Sequence, residues 1–347
     1  MHKIKGLPLN IGKIKQTNEK TSMSFHSKFL ICFLLAGLVT PSLAWDATGH
    51  RLSAAFALNF MSDESRVTLA DILRQHPRYQ QDFLDAMPTV IQSGSEISQL
   101  EWLLGQAAFW PDIARGLADG EREKYNHPNW HYIDGAWIRG ALTAQGNVYL
   151  DIDARATIAG MPGSSIRNEN QVNNVILALD FNTAILSNGS SSAAEKAIAL
   201  CWVLHLGADI HQPLHAGALY SADLFPDGDR GGNGIRTDDG TLHSRWDAAL
   251  AGQSISENVR AVLNERILWD TENINWEQWL AESREILLDQ VYTADMVSQI
   301  QTAGRQNQSR PQFNLSPAYI EQMQSIARQR LGLSGIRLAN WFDRNLN

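Results

Sequence analysis

Residues 199–216 read ALCWVLHLGADIHQPLHA, an apolar run that carries His205, Asp209 and His215. His205 and Asp209 are four apart, so on a helix both project from one face, one turn apart. Ala197, Val203, Leu204 and Ala208 surround the pair with apolar material, which predicts a buried helix. Pro213 forbids further helix and biases Gln212 out of it, leaving His215 on the exit turn. An imidazole and a carboxylate converging in an apolar shell form a donor set suited to zinc. A core His–Asp hydrogen bond is the plain alternative, and this stretch alone leaves both open. The spacing recurs in LHSRWDAAL as His243 and Asp247. Two such pairs and His215 supply five metal-type side chains, which favours a metal site.

The flanking sequence is mainly helical. At 347 residues, 44% of them hydrophobic, the chain can bury a substantial core. No repeat or low-complexity tract points to a solenoid or to disorder. Periodicity predicts helices over His50–Met61 and Glu64–Gln75, with Ser62 and Asp63 as the capping break. Another covers Ile97–Phe109, after which Pro111 in WPDIAR opens a new turn. Further helices are expected over Val172–Leu186, Ala193–Ile210, Glu257–Leu268, Trp276–Val291 and Pro317–Phe342. In the last, Ile320, Met323, Ala327 and Leu331 form one stripe, a core-facing pattern. NWHYID around His131 is β-prone, and Val148–Ile152 is a candidate strand. Ser221–Gly240, containing DGDRGGNGIRTDDG, is a polar, Gly-rich loop.

Residues 1–44 stand apart. Phe29–Val39 is an apolar run preceded by Lys28 and followed by Ser42-Leu43-Ala44, the pattern of a secretory signal cut after Ala44. The run is too short for a transmembrane anchor, and Cys32 lacks the small-residue context of a lipid-attachment site. Met23 is a natural initiator for a compact signal. Six of the 29 basic residues and one of the 37 acidic residues precede Trp45, so cleavage takes the formal net charge from −8 to −13. Polyanion-binding proteins commonly rely on a basic surface. Here positive charge has to be local, as bound zinc would make it. The mature chain keeps one cysteine, Cys201, so no internal disulfide forms and stability has to come from core and metal. Cys201 lies on the apolar face of the central helix and reads as packing rather than ligand.

WDATGH at Trp45, WPDIAR, HYID, the His205–His215 stretch, GGN and LHSRWD follow in an order that resembles the extracellular three-zinc, single-strand-preferring nucleases, the family of mung bean nuclease and nucleases S-one and P-one. Bacterial zinc phospholipases C are similar in fold and in most metal ligands. The motifs run from Trp45 to Asp247 and are specific in combination rather than singly. The resemblance implies a mainly α, single-domain, bundle-like fold with small β segments over residues 45–347, built around three zinc ions. One ion is implied at Asp112, His131, His205 and Asp209, and a second at His215, His243 and Asp247. The third would take His50, Asp209 as a bridge, and the free α-amino group and carbonyl oxygen of Trp45. Two ions sharing Asp209 would lower the pKa of a water between them. Five imidazoles with three carboxylates suit zinc better than calcium or soft copper. The lone Cys201 departs from the disulfide-bonded fungal and plant members. That points to a bacterial-type chain, with the Asn-x-Ser sites at Asn188, Asn307 and Asn314 unused.

The resemblance also implies roles for four further residues. Arg115 would steady charge on the phosphoryl group, with a surface ion pair as the alternative. Asp134 would orient the attacking water, or cap a turn. Tyr132 would stack on a base, which needs an unpaired strand, or pack as a core tyrosine. Asn233 would contact phosphate or support its loop. His76, His127 and His211 match no ligand position, and solvated or supporting roles are expected of His76 and His127. The implied activity is endonucleolytic hydrolysis of single-stranded DNA and RNA to 5′-phosphates and 3′-hydroxyls, with loss of phosphate from 3′-mononucleotides. A secreted or periplasmic enzyme with no stable membrane association and no obligate protein partner is expected. A zinc-dependent phospholipase C is the competing enzyme, disfavoured by GGN, Arg115 and Asp134 and by the lack of an obvious apolar stretch for docking on lipid. A zinc-storage or adhesion protein is the competing non-enzyme, and an open coordination position argues against it.

Overall fold

The computed structural model describes residues 45–133, 137–138, 141–142, 146–152, 169–264 and 270–346; the expected leader at 1–44 and Asp134 lie outside them. Most of the longer helices begin where a short polar side chain can take the first free amides. Asp46 caps α1 (Ala47–Phe60) by accepting from the Gly49 amide, and Ser62 caps α2 (Asp63–Leu73). After the single turn α3 (Thr89–Gln92), Ser95 caps α4 (Glu96–Ala114). The short α5 (Asp119–Tyr125) is followed by α6 (Val175–Ser187), capped by Asn174. Helix α7 (Ala193–Asp209) has a reciprocal start: the Ser192 hydroxyl takes the Glu195 amide and the Glu195 carboxylate takes the Ser192 amide. The rest are α8 (Leu242–Asp247), α9 (Ile255–Asn264), α10 (Trp276–Ile286), α11 (Ala294–Arg305) and α12 (Pro317–Asn345).

Helix α1 lies against both α4 and α12, while α7 packs on α4 and α6. From Ala199 to Asp209 every residue of α7 is buried. Gly207 allows α12 to come close, since a Cβ there would stand 2.7 Å from Leu338 Cδ2. One apolar cluster includes Leu104, Trp110, Leu179, Trp202 and Leu206, with Cys201 among them as packing. A second includes Phe56, Trp246, Met323, Ala327 and Leu331, so the stripe expected on the last helix is core. Ile210 belongs to the first and Ala208 to the second, and the C-terminal end of α7 is where they meet. Strand pairing is minor. β1 (Trp137–Ile138) and β2 (Ala141–Leu142) are antiparallel; β3 (Val148–Leu150) runs parallel to β4 (Leu219–Ser221), and β5 (Arg236–Thr237) to β6 (Gln312–Phe313). β4 and β5 thereby pin the two ends of the Gly-rich loop.

Four local expectations change. Pro111 opens no new turn, because α4 continues through it to Ala114. A proline removes one amide donor and strains the preceding turn, but Trp110, Pro111 and Asp112 are all buried and tertiary packing holds the helix. Residues 129–133 of NWHYID form no strand: Pro128–His131 is a 3-10 turn, with Tyr132 extended after it. Helix α11 adds to the expected elements, with Thr293 as cap and Met296, Ile300 and Ala303 on its buried side. The segment predicted as Trp276–Val291 is α10 followed by a wider π turn over Leu287–Val291.

Behind the end of α7 lies a buried ionic cluster. Arg330 and Arg337 of α12 both meet Glu282 of α10. Arg337 is bidentate, with Nη1 2.7 Å from Oε2 and Nη2 2.7 Å from Oε1, and Arg330 Nη1 lies 2.9 Å from Oε2. His211 donates through Nδ1 to the Gly207 carbonyl and stands 3.2 Å from Arg337 Nη1 through Nε2. Burial and the two guanidinium charges hold its imidazole neutral, with a pKa well below the usual range. His76 is also buried, against Phe83 and Trp110, and His127 stacks on Trp130. Neither is a solvated surface group.

Burial opposes ionisation of Glu282, yet the Arg337 and Arg330 contacts outweigh it and lower its pKa. Its contribution is therefore complete above the ordinary glutamate range and is lost as pH falls through the depressed value. Glu282→Ala strands two buried guanidiniums, and we expect a loss of about 3–5 kcal/mol in unfolding free energy. Urea titration reads it; a change below about 1 kcal/mol would mean the pair is solvated and behaves as a surface contact.

Candidate metal centre

The side chains of interest come from six places in the chain. His50 is on α1, Asp112 on the last turn of α4, His131 on the 3-10 turn, His205 and Asp209 on α7. His215 ends the short turn Pro213–His215, and His243 and Asp247 lie on α8. All eight are buried. They fall into three groups, the first two sharing His205, with the donor atoms of each within 4.8 Å of one another: His50, Asp112 and His205; His131, His205 and Asp209; and His215, His243 and Asp247.

Asp209 faces most of them. Its Oδ2 is 3.0 Å from His131 Nδ1 and 3.1 Å from His205 Nε2, and its Oδ1 is 3.6 Å from His50 Nε2 and 3.7 Å from His215 Nδ1. In the third group Asp247 approaches His243 Nε2 at 3.3 Å and His215 Nε2 at 3.7 Å. The third group brings together the three side chains that the resemblance assigns to one ion. The other two share His205, and His50 falls with Asp112 as well as near Asp209. Trp45 is fully buried and its indole donates to the Ala208 carbonyl at 3.0 Å; the next amide, Asp46, donates to the Asp247 carbonyl.

Backbone carbonyls orient three of the rings. Nδ1 of His205 donates to Ala108, that of His215 to His131, and that of His243 to Gly231. A carbonyl only accepts, so each of these rings keeps a proton on Nδ1 and turns Nε2 toward the cluster, the orientation a metal-bound imidazole needs. Gly231 is a site residue that the sequence reading passed over. Its φ is +58° and a Cβ would fall 2.3 Å from the Leu214 carbonyl, so only glycine fits where its own carbonyl reaches His243. The repeated Gly in GGN was the available signal. Gln212 was passed over too; its Nε2 donates to Asp247 Oδ1 at 2.8 Å.

Several buried donor and acceptor atoms here make no hydrogen bond: both nitrogens of His50, Asp112 Oδ2, Asp209 Oδ1 and His215 Nε2. Each such atom costs on the order of 1–3 kcal/mol when left unmatched. Their concentration in one place, on imidazoles and carboxylates, fits a site completed by cations.

Charge in the pocket is divided unevenly. Burial pushes His131 down to about 3 and His50 well below its usual range. For His215 burial acts the same way, but the carboxylates of Asp209 and Asp247 prevail and carry it up to about 9. Burial alone would raise Asp209; the facing His205 and His215 charges instead hold it well below the carboxylate range.

Around this core, Arg115 places Nη2 2.9 Å from Asp112 Oδ1 and 3.1 Å from His131 Nε2. It is a group at the edge of the pocket and not a surface ion pair. Tyr132 is 36% exposed, which removes the core-tyrosine reading, and its hydroxyl lies 3.4 Å from Asn129 Oδ1. Asn233 Nδ2 donates to the Arg230 carbonyl, a loop-supporting contact.

A family model described as S1/P1 Nuclease matches residues 45–347. Nuclease S1 of Aspergillus oryzae (strain ATCC 42149 / RIB 40) is 27% identical over 262 residues, covering 69% of this chain and 78% of that protein.

A ligand imidazole has to be deprotonated, and His215 in the metal-free cluster is carried to about 9. Below that value a proton occupies the group an ion would need, so metal affinity rises with pH and binding releases protons. Calorimetry at pH 7 in buffers of different ionisation enthalpy should show net proton release on zinc uptake. A buffer-independent heat would refute this charge assignment.

Proposed function

The chain belongs to the S1/P1 nuclease family, and from that premise we propose a zinc-dependent endonuclease that hydrolyses single-stranded DNA and RNA to 5′-phosphate products and removes phosphate from 3′-mononucleotides. The observation that carries this reading is the convergence of five imidazoles and three carboxylates, with unmatched buried atoms, beside an exposed aromatic ring and an arginine. We assign the ions to Asp112, His131, His205 and Asp209; to His215, His243 and Asp247; and to His50, Asp209 and the Trp45 terminus. When bound, zinc supplies positive charge for phosphoryl oxygens and acidifies water.

The protein's own groups do the rest. Carbonyl-anchored rings keep the ligand nitrogens aimed before substrate arrives, so little reorganisation is needed. The Arg115 guanidinium, at the pocket edge, meets the negative charge that grows on the phosphoryl group. Tyr132 offers its ring to an unpaired base, a sequence-tolerant contact that a duplex cannot make without unstacking. Asp134, next to Ile133 in the chain, takes the water-orienting role, and Asn233 bears on phosphate only through the loop it braces. Export fits the same reading. Removal of residues 1–44 exposes the Trp45 amine, whereas an internal amide nitrogen is a poor ligand. No described helix is long and apolar enough to cross a membrane.

Zinc-loaded protein should cleave single-stranded DNA and RNA and leave phosphatidylcholine intact; lipid turnover without nucleic-acid turnover would select the phospholipase reading. Protein beginning at Trp45 should hold about three zinc ions by elemental analysis, and one fewer when Met-Ala precedes Trp45. Equal metal content in the two forms would remove the terminus from the ligand set.

Arg115→Ala should keep its zinc while kcat falls on the order of 10²-fold, the effect of deleting one donor to developing charge. Unchanged kcat would return Arg115 to a structural role on Asp112.

A further inference from the structure

The Gly-rich loop passes through left-handed backbone at residues 228, 230, 231 and 232, with φ of 85°, 58°, 58° and 83°. Three of these four are glycine, which adopts the conformation without penalty. The fourth is Arg230. A residue with a Cβ is strained there, and Asn, Asp and His are the types that most often tolerate it. The other two such residues among those described are Asp151 and Asn307. Strain of this kind persists where the surroundings enforce it, and it gathers at working sites.

The surroundings here are the ligand group of His215, His243 and Asp247. Gly231, the next residue, accepts from His243 Nδ1. On the other side Asp229 is buried and takes the Leu219 amide and the Tyr292 hydroxyl. The Arg230 carbonyl accepts from both the amide and the side chain of Asn233. The backbone is held on both sides of Arg230, yet Arg230 itself is exposed and pairs with no carboxylate among the described residues. Among the described residues, Arg66, Arg122, Arg305 and Arg344 are each matched by Asp or Glu, whereas Arg230, like Arg236 and Arg260, is not. His243 and Asp247 are 6% and 4% exposed, buried but not fully sealed, as is Asp112 at 6%. An acidic chain, −8 overall, thus carries a cation without a carboxylate partner one residue from the carbonyl that orients His243.

We propose that Arg230 is a specificity-determining residue that grips a backbone phosphate of the substrate strand next to the one being cut. The inference rests on the nuclease reading above and deepens it. A guanidinium matches phosphate oxygens in a two-pronged contact, and a strand continuing past the metal centre presents another phosphate at each nucleotide. A substrate whose single phosphate is the scissile one gains nothing from this contact. Arg230 therefore sets a preference for longer strands, and it explains why a strained position carries arginine where its neighbours carry glycine.

Arg230→Gly separates this role from a structural one, because glycine relieves the strain while deleting the cation. KM is measured for a dinucleoside monophosphate and for a longer single-stranded oligonucleotide over a series of salt concentrations. The melting temperature of the variant should be no lower than that of the wild type. The ratio of oligonucleotide to dinucleotide KM should rise roughly 3- to 5-fold. The slope of log KM for the oligonucleotide against log salt should fall by about 0.7, the counterion released by one phosphate of a single strand. Arg230→Lys, which keeps the charge, should retain most of that slope. Equal ratios and slopes in wild type and Arg230→Gly overturn the assignment, as does a variant that loses stability together with activity on both substrates. If zinc-loaded wild type cuts neither substrate, the nuclease reading itself fails and takes this inference with it.

Discussion

A carboxylate with no solvent exposure, at the C-terminal end of a buried helix, is the constraint on which the structure turns. Asp209 closes α7 and is fully buried. Burying an unmatched charge costs several kcal/mol, and the negative end of the helix dipole adds to the penalty. Four imidazoles ring the carboxylate, two on each oxygen. Two of them, His50 and His131, are neutral from burial. Protons on the others, or cations in their place, have to balance the charge. The fold around it holds that arrangement of charge in one geometry.

That geometry is assembled by surfaces far from it. The encircled α7 cannot tilt without disturbing both apolar clusters, and Glu282 with its two arginines braces the residues immediately after it. On the other side, the buried Asp229 and Gly231 set the ring of His243 from a loop with almost no regular structure. Helices fix the positions of the donors, and irregular backbone fixes their rotation.

Much of this is legible in the sequence. The long helices show their period and their capping residues, and the His-x-x-x-Asp spacing on α7 and α8 places donors on one face before any contact is known. What escapes is what depends on partners distant in the chain. Pro111 reads as a break because the local rule is clear, yet packing around Trp110 keeps the helix going. Helix α11 hides because Met296, Val297, Ile300 and Ala303 are scattered among polar residues. The roles of Gly231 and Gln212 come from carbonyl and amide contacts across 12 and 35 residues, which no local pattern encodes. Arg115 and Tyr132 could be named but not placed, since edge and core are set by tertiary structure.

The tie between Trp45 and α7 also bears on how the protein folds. The indole reaches a carbonyl 163 residues away, and the adjoining amide reaches α8 further still. Contacts of such sequence separation close large loops and are made slowly compared with the local turns of a helix. The helices can form and collapse before Trp45 is threaded to its place, so the junction of α1, α7 and α8 around the His and Asp cluster is completed late.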